Sequence, residues 1–467
     1  MPASTQNDMP RIFQFSLPVA CVPGMATIAH LPSADEFSVP ILFILCGGFG
    51  FLLVKVGGDA YSSANTLTSR IFLLGYSVNV LVVFALYNYY LSDHGTPFLA
   101  TELYPHDDAH FHRIGTTIAK DWIEGTTRSQ LLLKDYTYKG YPLLLGGIYY
   151  FTDLFGDMSP LAPRIVNAMC GGLLSAAVFV LANLLYTPAV AVRASILAVF
   201  FPTFWLYSGN TLRDIIIALL VTVSTILVLK FQRATVGVSR FTLFTALAFT
   251  LLGVFLLRSS TFFALVAGLT VYFGVFAKDF ISKTLLVGTS LALLVIGLLY
   301  GKELGAPPPE SLLQQSDHYT EMAVTNASKE SLAIRYIYNA PAYLFLPLNA
   351  AYTAYAPIPP IKSTYLPHII EGLGAIVWYF CIPFWALGMY YGLRSRQSIL
   401  PVLVTLVLFL AIATIVASAR HKTQFQGLAL IHVAEASLRL TRQTMSINMV
   451  VLLTLCVLAV IYIFLKF

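Results

Sequence analysis

Residues 165–186 read Ile-Val-Asn-Ala-Met-Cys-Gly-Gly-Leu-Leu-Ser-Ala-Ala-Val-Phe-Val-Leu-Ala-Asn-Leu-Leu-Tyr, and no charge interrupts them. As a helix such a run spans the roughly 30 Å hydrocarbon core of a bilayer, for which about 20 apolar residues suffice. Similar runs lie on both sides. Before it come Ile12 to Ala29, weakened by Pro18, Pro23 and Gly24, then Val39 to Val56 and Ile71 to Tyr90. After it come Ala189 to Tyr207, Ile215 to Leu229, Phe241 to Leu257, Phe262 to Ala277 and Thr284 to Tyr300. Leu373 to Tyr391, Ile399 to Ala417, Phe425 to Ala434 and Ile447 to Phe464 close the chain, with His432 and Glu435 marking the third of these as doubtful. The reading is an all-α membrane protein, a polytopic helical bundle of about 11–13 transmembrane helices with two long extracytoplasmic loops.

Composition agrees. Of 467 residues, 57% are hydrophobic and only 11% charged, against roughly 25% charged in a soluble domain. A soluble fold that apolar has too little polar surface to cover itself. The net charge of +6 does not indicate a nucleic-acid partner, because Lys and Arg fall mainly in short connections between apolar runs, where they set orientation. The five cysteines all lie in apolar segments and read as small core residues.

One membrane domain is expected, in five parts. Residues 1–92 hold the N-terminal spans, 93–164 a first outer loop with interfacial helices, 165–300 the central spans, 301–368 a second long outer loop, and 369–467 the C-terminal spans. Lys55 to Arg70, Thr187 to Arg193, Lys230 to Arg240, Lys278 to Lys283, Arg394 to Arg396 and Arg439 to Arg442 then share the cytoplasmic side, and each carries Lys or Arg. Both long loops share the other side. Tyr141 to Phe155 is apolar but short and reads as a helix on the membrane surface or as a deep loop, and the prolines of Tyr336 to Pro360 argue against a regular span there.

The charges that break this economy are the functional candidates, since charge beside a bilayer is costly without a use. Glu102-Leu-Tyr-Pro-His-Asp107-Asp108-Ala-His110-Phe-His112-Arg113 puts adjacent carboxylates, three imidazoles and an arginine in the first outer loop. Asp107 or Asp108 can serve as a general base toward an acceptor hydroxyl or amine, and His110 can hydrogen-bond a polar substrate. His106, Asp107, Asp108, His110 and His112 are also metal-ligand types, but their spacing matches no familiar ligand set. No cofactor is expected, and a divalent metal is the option left open. Arg213-Asp214 sits where one span exits outward and the next begins; Asp214 is either a helix N-terminal acid or, with Arg213, a support for the first loop. Arg258 and the cluster Arg420-His421-Lys422 place cations on the acidic outer side, which suits a phosphate-bearing lipid substrate.

Taken in order, Tyr104-Pro-His-Asp107-Asp108, Tyr141-Pro-Leu-Leu-Leu, Leu154-Phe-Gly156, Ala162-Pro-Arg164, Phe201-Pro-Thr203, Arg213-Asp214 and Arg420-His-Lys422 before Ala429-Leu-Ile431 resemble the GT-C superfamily of integral membrane glycosyltransferases, nearest its protein O-mannosyltransferase and aminoarabinose transferase branch. The resemblance implies a polyprenyl-phosphate-sugar donor, a glycan or lipid acceptor, and inversion at the anomeric carbon. By that likeness Asp107 or Asp108 is the base, Asp214 the second-loop acid, and Arg258, Arg420, His421 and Lys422 the donor-phosphate partners. It further implies a multi-pass protein of a bacterial inner membrane with its site facing the periplasm. The family usually has one span before the acidic loop, whereas more precede it here. The competing readings are a polysaccharide polymerase or ligase using polyprenyl-diphosphate-linked glycans, and a polytopic transporter or flippase.

Overall fold

The structure is a computed structural model that describes residues 38–57, 63–99, 107–134, 139–234, 238–276, 287–288, 295, 337, 340–355, 364–395, 398–414 and 419–439. The described residues form fifteen α-helices of a turn or more and no strand. In chain order they are α1 (Ser38–Gly57), α2 (Ser63–His94), α3 (Asp107–Glu124), α4 (Arg128–Lys134), α5 (Gly140–Asp153), α6 (Leu161–Leu185), α7 (Pro188–Val199), α8 (Pro202–Ser208), α9 (Asp214–Arg233), α10 (Val238–Leu257), α11 (Ser259–Phe276), α12 (Ala342–Tyr355), α13 (Leu366–Arg394), α14 (Ile399–Ala413) and α15 (Ala419–Leu438).

Seven of these, α1, α2, α6, α9, α10, α11 and α13, are long and apolar enough to cross a membrane, or eight spans if α7 and α8 are counted together. The chain is therefore a multi-pass helical membrane protein. The runs expected at Ile12 to Ala29, at Thr284 to Tyr300 apart from residues 287, 288 and 295, and at Ile447 to Phe464 lie outside the described residues.

The bundle is built on α6, whose two faces are both buried. It packs against α1 and α2 on one side and α7 and α9 on the other. With no hydrophobic drive between helices in lipid, close approach depends on small residues. At the α2–α6 crossing Gly75 meets Gly172. A Cβ on Gly172 would lie 2.8 Å from the Tyr76 backbone nitrogen and 3.0 Å from the Phe72 carbonyl oxygen.

Three expectations change. The run Ala189 to Tyr207 is not one helix: α7 and α8 meet at 53°. Pro202 lacks the N–H that would continue α7, and its ring forces Phe201 into extended backbone at φ −81°, ψ 112°. The indole of Trp205 donates to the Val199 carbonyl at 2.7 Å and so satisfies an acceptor freed by the break.

The doubtful run around His432 is an unbroken helix. α15 is the most enclosed element of the C-terminal half, with Phe425, Leu428, Leu430 and His432 all fully buried among α7, α9, α13 and α14. His432 interrupts the hydropathy but not the helix, because Gly388 of α13 lets the backbones touch: a Cβ there would lie 2.2 Å from the His432 carbonyl oxygen. The prolines of Tyr336 to Pro360 leave α12 fourteen residues long, with Pro347 inside it, which is short of a span as expected.

The third change concerns the polar stretch after α2, part of which is helix rather than loop. α3 places Phe111, Ile114, Ile118 and Ala119 on one buried face, against Tyr141, Leu145 and Tyr149 of α5. α5 has fourteen residues, about 21 Å at 1.5 Å per residue, too short to cross a bilayer. Its other face leaves Leu143, Leu144, Tyr150 and Phe151 exposed.

Gly172→Ala should therefore destabilise the bundle by about 1–3 kcal/mol, since its Cβ meets backbone that cannot yield. Gly48→Ala, where nothing lies within 4 Å, should leave the detergent Tm unchanged. Thermal unfolding of both variants checks this, and equal Tm values would refute the close crossing.

Candidate functional site

Asp107 and Asp108 form the first turn of α3, where carboxylates are favoured by the helix dipole. Successive helical residues point about 100° apart at 3.6 residues per turn, so the two neighbours enter different surroundings.

Asp108 turns inward. Its side chain is fully buried, and one oxygen lies 2.7 Å from the Arg164 guanidinium, itself fully buried at the start of α6. Its other oxygen accepts the Thr211 backbone N–H at 2.6 Å, while the Leu99 N–H approaches the first, Arg164-paired oxygen at 3.4 Å. Arg164 donates further to the Pro97 carbonyl at 2.5 Å and lies 5.8 and 5.7 Å from the rings of Tyr87 and Tyr90. One ion pair thus ties the segment after α2, the start of α3, α6, and the α8–α9 turn. Asn167, one turn along α6, reinforces that turn by donating to the Asn210 and Leu212 carbonyls at 2.7 and 2.9 Å. The Tyr90 hydroxyl donates to the Asn210 side chain at 3.0 Å.

Asp107 turns outward. Its side chain is 46% exposed and lies 2.5 Å from Nη1 of Arg420, on the first turn of α15. The Nε of the same guanidinium lies 2.5 Å from Asp214, the first residue of α9, and the other oxygen of Asp214 lies 3.3 Å from Arg258. Asp214 is fully buried, so Arg420 bridges a closed carboxylate and an open one. Arg213 donates to the Leu257 carbonyl at 2.9 Å, and His421 lies in the combined field of Arg213, Arg258 and Arg420. Two guanidiniums, Arg258 and Arg420, thus pair with two carboxylates, Asp107 and Asp214, and Arg213 lies close enough to act on the same His421.

Beside Arg420 a small cleft is lined by Leu99, Leu206, Tyr207, Asn210 and Leu212 together with His368 and Glu371 of α13. The walls at Leu99 and Asn210 are the ones held by Asp108 and Asn167.

The sequence candidates thus separate. Asp107, Asp214, Arg213, Arg258, Arg420 and His421 converge. Asp108 supports them from below. Lys422 points elsewhere, donating to the Ala354 carbonyl of α12 at 3.3 Å in the field of Glu371. His110 pairs with Arg113 at 3.2 Å along α3. His112 is held between Phe98 and Tyr149, with its Nδ1 2.7 Å from the Tyr149 hydroxyl. Burial pushes the His112 pKa down to about 4, against the opposing pull of Asp108. Among the described residues no three His, Cys, Asp or Glu side chains gather as a metal site, and Arg420 stands where a bridging cation between Asp107 and Asp214 would.

Residue-type reasoning did not single out Arg164, Asn167 or Glu371 as site residues. The available signal was Arg164 itself, a charge abutting a long apolar run.

A scan of protein-family models finds no match to this chain, and a search of curated proteins finds no relative.

Two outcomes are expected. Removing one partner of the sealed pair, by Asp108→Asn or Arg164→Leu, should cost about 3–5 kcal/mol because the other charge is left buried alone; a Tm within a degree of wild type in either variant would refute the pair. His112 has a folded pKa below its unfolded value of about 6.5. The unfolded chain therefore binds the proton more readily, and stability should fall as pH drops from about 6.5 to about 4. His112→Phe should flatten the Tm–pH profile over that window, and a profile of unchanged slope would contradict the assignment.

Proposed function

We propose that the chain is a membrane glycosyltransferase that moves a sugar from a polyprenyl-phosphate-linked donor to a glycan or lipid acceptor on the extracytoplasmic face, with Asp107 as general base. One observation carries this reading. Of the three carboxylates in or beneath the cluster, Asp107 alone is open to solvent, and it is tied through Arg420 to a buried acid and a second arginine.

In this reading Asp107 takes the proton of the acceptor hydroxyl as its oxygen attacks the anomeric carbon. The bond from that carbon to the phosphate oxygen breaks, and inversion follows from the single displacement. Lipid phosphate is a good leaving group, so the charge it gains needs neutralising rather than protonating. Arg258 and Arg420 are suited to that, with Arg213 and His421 close by. Asp214 holds Arg258 and Arg420 in place, and Asp108 acts through Arg164 as a positioning residue. The outer face of a bacterial inner membrane is the proposed location, from the distribution of Lys and Arg among the connections.

A transporter is the second reading, favoured by one feature. His432 is fully buried inside the bundle, both ring nitrogens are without a partner among the described residues, and Glu435 is buried one turn on. Ionisable groups within a membrane bundle mark transport paths as well as active sites.

Proteoliposomes supplied with a panel of polyprenyl-phosphate hexoses and pentoses and a membrane extract as acceptor decide between them. The proposed enzyme releases polyprenyl phosphate, and Asp107→Asn lowers that release by at least about a hundredfold with Tm unchanged. Full turnover by Asp107→Asn, or flux of an unmodified donor across the bilayer without release, would sink the reading.

A further inference from the structure

The transfer described above needs the base on α3 and the donor-phosphate arginine of the α10–α11 turn at a set spacing. α3 packs on α5 along a close seam. A Cβ on Gly115 would lie 2.7 Å from the Leu145 Cβ, and one on Gly146 would run into Ile118. One turn after Asp107, Phe111 meets Tyr141 edge to face with ring centroids 4.9 Å apart. Tyr141 is fully buried, and its hydroxyl lies in the field of Asp108, Asp214 and Arg420. α3 and α5 thus form one packed unit that carries the base.

The residue before Tyr141 brings that unit against the other side of the site. Gly140 opens α5, and a Cβ there would lie 2.5 Å from the carbonyl oxygen of Leu256 and 2.8 Å from its carbonyl carbon. Leu256 stands in the last turn of α10, two residues before Arg258. Arg213 donates to the next carbonyl, that of Leu257, at 2.9 Å. The contacts close a ring. From Asp107 they run through Phe111, Tyr141 and Gly140 to Leu256 and Arg258, then by ion pairs through Asp214 and Arg420 back to Asp107. Packed groups joined in a ring fix a spacing that an open chain of contacts leaves free.

We infer that Gly140 is a positioning residue: by admitting the Leu256 carbonyl against the start of α5, it sets Arg258 relative to Asp107, and so the donor phosphate relative to the base. The inference rests on the glycosyltransferase reading for the use of that spacing, while the contact itself is independent of it. Any side chain at position 140 meets backbone, so it pushes the α10–α11 turn outward and parts Arg258 from Arg420, with which it shares Asp214. A misplacement of about 1 Å from a site remote from the chemistry can cost about a hundredfold in rate.

The test uses the full-length protein in phosphatidylcholine nanodiscs with two readouts, affinity for dodecyl phosphate and phenylglyoxal modification of Arg258 followed by mass spectrometry. Gly140→Ala should weaken dodecyl phosphate binding at least about fivefold and raise the modification of Arg258. Gly147→Ala, on the same helix with nothing within 4 Å, should change neither. Arg258→Gln should weaken binding about tenfold, and adding Gly140→Ala to it should cost less than about twofold more, because the glycine acts through that arginine. Losses that multiply in the double variant would overturn the inference, as would unchanged Arg258 modification in Gly140→Ala. Should Gly140→Ala not fold, Phe111→Leu loosens the same ring from the α3 side and should raise Arg258 modification, and no rise there overturns the inference equally. If Arg258→Gln binds the probe like wild type while Gly140→Ala still raises Arg258 modification, the positioning role stands and the donor-phosphate assignment falls.

Discussion

A carboxylate and a guanidinium sealed from water, 2.7 Å apart, hold the outer end of this molecule together. Burying either charge alone costs several kcal/mol; here each charge answers the other, while among the described residues Nε and Nη1 of Arg164 have no hydrogen-bond partner. Asp108 uses the backbone N–H of Thr211, and Arg164 uses the Pro97 carbonyl and the faces of two tyrosines. These partners come from segments separated by up to 114 positions in the chain, from residue 97 to residue 211. A charge with so few acceptable partners allows only one arrangement of the segments that supply them. The pair thereby fixes where α3 begins, and so where Asp107 points.

The three acids show one residue type set to different tasks by surroundings alone. Asp108 is closed and spends its charge on architecture. Asp214 is closed and spends its charge on two arginines. Asp107 is half open and shares Arg420 with Asp214. Arg420 stands on the first turn of α15, the most enclosed helix of the C-terminal half, so the cation reaching Asp107 rests on a packed support. The open acid is held between fixed groups while keeping a face for a ligand.

Much of this was legible in the residues. Runs of about 20 apolar positions declare spans without any tertiary information, and Asp107, Asp214, Arg258 and Arg420 stand out because charge is scarce around them. What was not legible follows from geometry. Asp107 and Asp108 are equivalent in sequence, and only the helical turn between them sends one inward. α3 was hidden because its apolar face is narrow and interrupted by charges, so mean hydropathy reports a loop where periodicity builds a helix. The break at Pro202 was written in the sequence, but an apolar run on both sides of it disguised two helices as one. Arg164 looked like the flank of a span, since nothing local indicates a partner fifty-six residues away. Lys422 shares a tripeptide with Arg420 yet faces α12, for the same rotational reason that divides the two aspartates.

Asp107 and Asp108, adjacent in the chain, occupy opposite environments, one open and one sealed. Carbodiimide labelling of the native protein in detergent, with site-resolved mass spectrometry, measures that difference directly. The account predicts that Asp107 is modified while Asp108 and Asp214 are protected until the protein is unfolded. Labelling of Asp108 at the rate of Asp107 in the native state would contradict it.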